Sequence, residues 1–435
     1  MKKVLLIQLS GEEYISGVGL RSDDYASKIN QEPLGLEYIG SQIAGDYKVK
    51  IVLQENGPDE KILKEVKNFK PDVIGFSVFT FAAPSTQRFC KKVKEYNSKI
   101  IIIVGGCHPS GYPQIVEDKN IDFAVIGEGE ITFKELIETL WCGGDVSKVD
   151  GIAYWDGGIK VTRPRERIKD LDCLKFPLRV KSQVKEKFFL SITYSRGCPF
   201  GCSFCDSKKI WGTKVFWRSP RNVVKEIKEL QKMGAKEFYF TDLTFNLDKG
   251  RVLALCDEIK KERLDINYGT MCTPRLMDRE LLEKMRESGC RRIQYGIETF
   301  DEATLRMLGG KKETQVFSKI KEVLSLTSSV GIHMRNFFMI GYPTDNKEKL
   351  LQTRKVLKIL YGDIKKSKSP AGDIRITFFT PLPTQSLYEQ YRKKNLLLTE
   401  DFGKYTTNIP VVKCGVSPGE LIKIRDDIYK DINQR

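Results

Sequence analysis

Three cysteines within eight residues, Cys198, Cys202 and Cys205, carry the strongest chemical signal in the chain. They lie in Tyr194-Ser195-Arg196-Gly197-Cys198-Pro199-Phe200-Gly201-Cys202-Ser203-Phe204-Cys205, a C-x3-C-x2-C spacing. Thiolates are soft ligands that suit zinc and iron–sulfur clusters. Structural zinc takes four ligands, usually as two separated pairs, and no nearby cysteine or histidine supplies a fourth. The two histidines, His108 and His333, are far away in sequence. A [4Fe–4S] cubane fits better, because three cysteines hold three irons and leave one open to an exchangeable ligand. Gly197 and Gly201 let the loop turn tightly. The remaining cysteines are scattered and read as small buried hydrophobes.

The cysteine loop needs a scaffold. A chain of 435 residues suggests two or three domains, at roughly 150 residues each. Apolar residues make up 40% and charged residues 30%, a globular composition. The longest aliphatic run, Ile100 to Val104, is far short of the roughly 18 apolar residues of a spanning helix. The N-terminus has two lysines and a short apolar run but no signal-peptide pattern, so a cytoplasmic location is expected. The net charge is +16, yet the lysines are spread along the chain and mixed with glutamates. This reads as a solvated surface rather than a nucleic-acid footprint.

Strand and helix alternate over residues 1–150. Strands are expected at Val4–Ile7, Val49–Leu53, Val73–Val78, Ile100–Val104 and Phe123–Ile126. Helices are expected at Leu34–Ala44, Lys61–Asn68, Ser85–Tyr96 and Thr132–Leu140. The pattern implies an α/β domain with a doubly wound, Rossmann-like parallel sheet, which binds ligands beyond the carboxyl ends of its strands. Residues 151–187 read as a β-hairpin with a glycine turn, then a linker. Over residues 188–390 six βα units restart, at Leu190–Tyr194, Glu237–Thr241, Asn267–Cys272, Arg292–Ile297, His333–Ile340 and Arg375–Phe379. They suggest a partial (β/α)6 barrel with its chemistry on the loops after the strands. Residues 391–435 read as a small cap or tail.

C-x3-C-x2-C after the first strand of a partial barrel, with the aromatic Phe204 before the third cysteine, resembles the radical S-adenosylmethionine (radical SAM) enzymes. The N-terminal half resembles the cobalamin-binding domain of one large branch of that family. The residues that carry this second likeness are Pro33-Leu34-Gly35-Leu36, Ile74-Gly75-Phe76-Ser77, Gly105-Gly106-Cys107-His108-Pro109 and Gly127-Glu128-Gly129-Glu130. Glycines at strand ends admit a large ligand close to the backbone, and N–H groups there suit its phosphate.

The resemblance implies a role for each matching residue. Cys198, Cys202 and Cys205 would ligate the [4Fe–4S] cluster, whose open iron would chelate S-adenosylmethionine. Phe204 would lie beside the adenine. Asp242 ends the second strand, where the family often has two acidic residues; Leu243 leaves that motif half present. Arg275 would hold the methionine carboxylate, and Glu298 the ribose or the amino group. Phe338 to Pro343 would pack on the adenine. Ser77, Gly105, Gly106, His108, Gly127, Glu128 and Gly129 would line the cobalamin site. Many cobalamin proteins offer cobalt a histidine after the first strand, but Leu9 to Tyr14 contains none. The implied lower face is water-bound or unligated, with Glu12, Glu13 and Tyr14 as its neighbours. His333 reads as a packed barrel residue.

The implied activity is cobalamin-dependent methylation of an unactivated carbon, using a 5′-deoxyadenosyl radical and methylcobalamin. The substrate would be a small molecule or natural-product intermediate, and the reductant a flavodoxin or ferredoxin. The same cofactors also suit non-methylating chemistry: ring formation, ring contraction or oxidation. A tRNA methylthiotransferase, prompted by the positive charge, needs three further cluster cysteines. Cys90, Cys107 and Cys142 are poorly placed for that, and residues 391–435 are too short for an RNA-binding barrel.

Overall fold

The computed structural model describes residues 1–10, 32–54, 59–179, 184, 189–309, 317–366 and 372–433. Glu12, Glu13 and Tyr14 lie outside the described residues. Strands β1 (Lys3–Gln8), β2 (Lys48–Leu53), β3 (Val73–Ser77), β4 (Ile101–Gly105) and β5 (Phe123–Val125) form the expected parallel sheet. Successive side chains of a strand point to opposite faces. Leu5 and Ile7 therefore pack with Val66 and Phe89 on one face. Val4 and Leu6 pack with Ile43 and Leu136 on the other. Both faces are covered, so the strands read as unbroken apolar runs. The strand order β2-β1-β3-β4-β5 reverses direction between β1 and β3, and such a switch opens a crevice at the carboxyl ends. The hairpin forms as β6 (Ile152–Trp155) and β7 (Ile159–Val161) around Gly157, whose φ is +63°. It continues the same sheet beyond β5 in antiparallel sense.

Strand β8 (Leu190–Ile192) begins a second sheet, and a short ribbon of β9 (Ser195–Arg196) and β10 (Phe216–Trp217) brackets the cysteine loop. Strands β11 (Glu237–Phe240), β12 (Asn267–Cys272), β13 (Cys290–Glu298), β14 (His333–Ile340) and β15 (Asp373–Phe378) complete it. All pair in parallel, in the order β15-β14-β13-β12-β11-β8, with β8 and β15 as edges. This is the expected six-stranded partial barrel. Burial alternates along β14, and Met334, Phe338 and Ile340 join the outer core under the helices. Helix Pro220–Lys232 begins at the expected cap, where Ser219 Oγ accepts from the Asn222 N–H at 3.1 Å, a contact worth about 1 kcal/mol.

The last stretch is built into the fold rather than set apart from it. Helix Pro418–Asn433 places Leu421, Ile424, Ile428 and Ile432 in the barrel's outer core. Phe402 reaches the N-terminal domain, with its ring 5.1 Å from His108 and 5.3 Å from Tyr112. Among the described residues, no helix is long and apolar enough to cross a membrane.

A buried charge network ties the two sheets together. Arg179 donates from Nε to Glu32 at 3.1 Å and Glu37 at 3.2 Å, and from NH1 to Glu226 at 2.7 Å. Glu32 also accepts from the Ser191 N–H of β8. Glu226 is held a second time by Arg218 at 2.6 Å. All these side chains are nearly inaccessible. Removing one partner of a buried pair strands the others without compensation, at a cost of about 3–5 kcal/mol. Arg179→Ala is expected to lower the unfolding free energy by that amount in a chemical denaturation. A loss under about 1 kcal/mol, the worth of a surface pair, would contradict this role.

Candidate functional site

The cysteine loop is held from four directions. Gly197 has φ +110°, and a Cβ there would stand 2.1 Å from the Lys214 carbonyl oxygen. Only glycine lets β9 and β10 close against each other at this point. Ser203 donates from its N–H to the Leu308 carbonyl at 2.9 Å. The Gln385 side-chain amide donates to the Phe204 carbonyl. Asp242, after β11, accepts from the Tyr194 N–H at 3.1 Å and from Ser195 Oγ at 2.5 Å. Asp242 is thus a brace for the lead-in to the loop. Burial raises its carboxyl from the ordinary 3.8 to about 6. The thiols of Cys198, Cys202 and Cys205 are free and partly accessible. Hydroxyls flank two of them, with Thr244 Oγ1 at 3.9 Å from Cys198 Sγ and Ser207 Oγ at 2.9 Å from Cys205 Sγ.

At the carboxyl ends of the first sheet lies a cavity of about 280 Å³. Ser77, Gly105, Gly106, Gly127, Glu128 and Gly129 line it, as does Cys107. A Cβ at Gly35 or Gly127, both on its wall, would meet nothing within 4 Å. Along its floor Gly75 leaves space that a Cβ could not take, only 2.8 Å from Leu6 and 2.9 Å from Phe133. An apolar slot walled by bare backbone admits a flat ligand group at close range. Burial pushes the Cys107 thiol up to about 12, so it offers no thiolate. His108 is not on this wall. Its ring packs between Tyr112 and Phe402, its Nδ1 lies 3.3 Å from Thr80 Oγ1, and burial pushes its pKa down to about 4. The cavity-facing position in that turn belongs to Cys107.

The cavity and the cysteine loop share a wall. Ile210 and Trp211, on the short helix Ser207–Trp211 just after Cys205, line the cavity. Arg196, two residues before Cys198, donates from NH1 to Glu128 at 2.9 Å and from NH2 to Glu130 at 2.5 Å. Its guanidinium lies 5.1 Å from the ring centres of both Tyr38 and Trp211. Glu128, expected only as a cavity residue, therefore turns its carboxylate toward the barrel. Sequence spacing carries no signal for this contact, since 68 residues separate the partners.

The other residues implied at the barrel mouth are placed unevenly. Glu298 ends β13 at an irregularity in the pairing with β14, is 9% exposed, and has φ +72°. A non-glycine residue in that region stores about 1–3 kcal/mol of strain, typical of a binding site. Near it, Tyr342 packs on Phe379 at 4.9 Å and shares an apolar cluster with Phe204. The Tyr342 hydroxyl, Thr384 Oγ1 and Gln385 Oε1 are buried with no hydrogen-bond partner among the described residues. Such atoms are rare unless a ligand or water completes them. Tyr342 belongs to the Phe338–Pro343 segment that the resemblance places on the adenine, whereas Thr384 and Gln385 carry no sequence signal. Phe338 points to the outer core, 5.3 Å from Phe300. Arg275 is exposed on the turn after β12.

The donor set decides between metals. Among the described residues, no three His, Cys, Asp or Glu side chains close on one point as a single ion would need. A cubane binds each thiolate to a different iron, so its cysteines stand wider apart. Three free thiols on one loop, without a fourth ligand, fit the cluster and not zinc.

The Radical SAM superfamily profile matches residues 192–357, and the B12 binding domain profile matches residues 27–137. An uncharacterised methyltransferase of Pyrococcus horikoshii is 32% identical over 393 residues, covering 88% of this chain and 83% of its own length. The chain belongs to the cobalamin-binding radical SAM enzymes. The anaerobic magnesium-protoporphyrin IX monomethyl ester cyclase of Rubrivivax gelatinosus is 28% identical over 415 residues, 90% of this chain and 72% of that protein. The fold matches the radical SAM methyltransferase TsrM of Kitasatospora setae, solved with cobalamin and a [4Fe–4S] cluster. The TM-score is 0.71 at 16% identity, over 92% of this chain and 79% of that one. The cofactors of this radical SAM enzyme are therefore the [4Fe–4S] cluster, S-adenosylmethionine and cobalamin.

Two outcomes test this geometry. Gly197→Ala is expected to lose most of its reconstituted iron and sulfide, whereas Gly201→Ala, with nothing within 4 Å of its Cβ, is expected to keep them. Equal cluster content in both variants would contradict the account. For Asp242, the folded carboxyl still holds its proton between pH of about 4 and about 6, where the unfolded one has released it. Stability therefore falls as pH rises through that window. Relative to Asp242→Asn, the wild type should lose stability from pH 4 to 6 and then run parallel; a relative gain would reverse the assignment.

Proposed function

We propose that this enzyme is a methyltransferase that places a methyl group on an unactivated carbon of a small molecule. The observation that carries this reading is the shared wall. Trp211 and Ile210 border the cavity that suits cobalamin, and they follow directly on the loop that suits the cluster. A substrate lodged at this junction lies within reach of both. Bound there, the cluster with S-adenosylmethionine supplies a hydrogen-abstracting radical, and cobalamin supplies a methyl carrier.

This chain's residues do the positioning. Cys198, Cys202 and Cys205 hold the cluster. Phe204, Glu298 and the unpaired groups of Tyr342, Thr384 and Gln385 surround S-adenosylmethionine. Arg275, exposed on the turn after β12, would hold the methionine carboxylate. Ser77, Gly105, Gly106, Gly127, Glu128 and Gly129 face cobalamin. We assign residues 1–150 to the cobalamin unit, 151–187 to the hairpin and linker, 188–390 to the radical unit, and 391–435 to a C-terminal segment that packs on the barrel's outer core. Lys208 and Lys209, exposed beside the cysteine loop, suit an acidic reductant such as a flavodoxin or ferredoxin. The expected location is cytoplasmic.

A second reading, ring formation without methyl transfer, is favoured by the cyclase relative. The methylthiotransferase reading fits poorly. Cys90 is buried in the core of the first sheet and Cys142 is exposed, so these two thiols do not face one site with Cys107.

Anaerobic turnover with methyl-labelled S-adenosylmethionine and a panel of small acceptors separates the readings. Methyl transfer predicts 5′-deoxyadenosine, S-adenosylhomocysteine and labelled product together. 5′-Deoxyadenosine with an altered acceptor but no label would establish the second reading. Cys202→Ala should abolish 5′-deoxyadenosine in either case.

A further inference from the structure

We infer that Arg196, Arg167 and Trp211 form a joint through which cobalamin binding and cluster assembly strengthen each other. The inference rests on the functional reading above for the identity of the two ligands. Its geometry rests on the joint itself. Arg196 precedes the cysteine loop and Trp211 follows it, so the joint clasps the loop at both ends. Glu128, on the cavity wall, uses both carboxylate oxygens. Oε1 accepts from Arg196 at 2.9 Å, and Oε2 accepts from Arg167 Nε at 2.8 Å and the Ile168 N–H at 3.0 Å. Arg167 also donates to the carbonyls of Arg196 at 3.4 Å and Lys214 at 3.3 Å. The first carbonyl belongs to β9, and the second is the one that crowds Gly197. The Trp211 ring faces both guanidiniums, at 5.1 Å from Arg196 and 5.9 Å from Arg167.

Arg196, Glu128 and Glu130 are each about 5–6% exposed at the side chain. Charges so buried do not separate independently, because an unpaired one loses far more than a surface pair would. A ligand that fixes the Glu128 turn and Trp211 therefore also fixes Arg196 and the ribbon. The ordering cost is met once for two sites, which makes their occupancy cooperative. The linkage is reciprocal.

The test uses the full chain and hydroxocobalamin, followed by visible absorbance. Binding is titrated with the cluster assembled and in the Cys198→Ala/Cys202→Ala/Cys205→Ala chain. The cluster should tighten cobalamin binding by roughly 5- to 150-fold, the usual span of coupled sites. Arg167→Lys, which keeps the charge but loses the planar fork and does not line the cavity, should bring that ratio toward one while the melting temperature stays near wild type. Trp211→Leu, on the cavity wall itself, should weaken cobalamin binding in both states and lower the ratio as well. Equal affinities in the wild-type pair would overturn the coupling alone. An undiminished ratio in both variants would overturn this joint as its route. No cobalamin binding in either state would overturn the functional reading instead.

Discussion

Arg196 is a charge that cannot be left alone. It sits two residues before Cys198, the first cysteine of the loop, almost fully buried, with two glutamates of the other domain as its partners. A guanidinium in that position needs both carboxylates, and the carboxylates need it. The Gly127-Glu128-Gly129-Glu130 turn therefore faces two ways. Its backbone borders the cofactor cavity, and its side chains grip the barrel. One electrostatic requirement joins the cavity wall to the cysteine loop, and the proposed two-cofactor reaction depends on that junction.

The rest of the site follows from holding this loop. Asp242 fixes the backbone just before Arg196, and the Lys214 carbonyl requires glycine just after it. Gln385 comes from the far side of the barrel to the Phe204 carbonyl, and Thr384 beside it abuts Gly111 of the cobalamin domain. Arg179 performs a parallel service behind the active face, joining Glu37 of the first domain to Glu226 of the second. Two buried ionic joints and one glycine contact thus lock the domains into a single geometry.

The sequence made the strands, the hairpin and the cysteine loop legible because each depends on local rules. Continuous apolar runs mark strands covered on both faces, and Ser219-Pro220 marks a helix start. The expected boundaries fall within a few residues of those found. What stayed hidden depends on distant partners. His108 sits in a turn that resembles the wall of the cobalamin site, but Phe402 arrives from nearly three hundred residues away to pack it into an aromatic cluster. Asp242 looks like half a cofactor motif, yet it braces the backbone N–H of Tyr194 and the hydroxyl of Ser195. Residues 391–435 lose the regular alternation, so their place in the barrel core was not visible from periodicity. Arg196 and Trp211 were in plain sight beside the cysteines, but only the fold reveals that they face the other domain.

The central claim is that the two cofactors occupy adjoining sites across this joint. The most direct measurement is electron paramagnetic resonance of the reconstituted full chain, with the cluster reduced and cobalamin in its paramagnetic Co(II) state. The account predicts a resolved magnetic interaction between the two centres, strong enough to broaden or split both signals. Two unperturbed, additive spectra from a chain carrying both cofactors would contradict it.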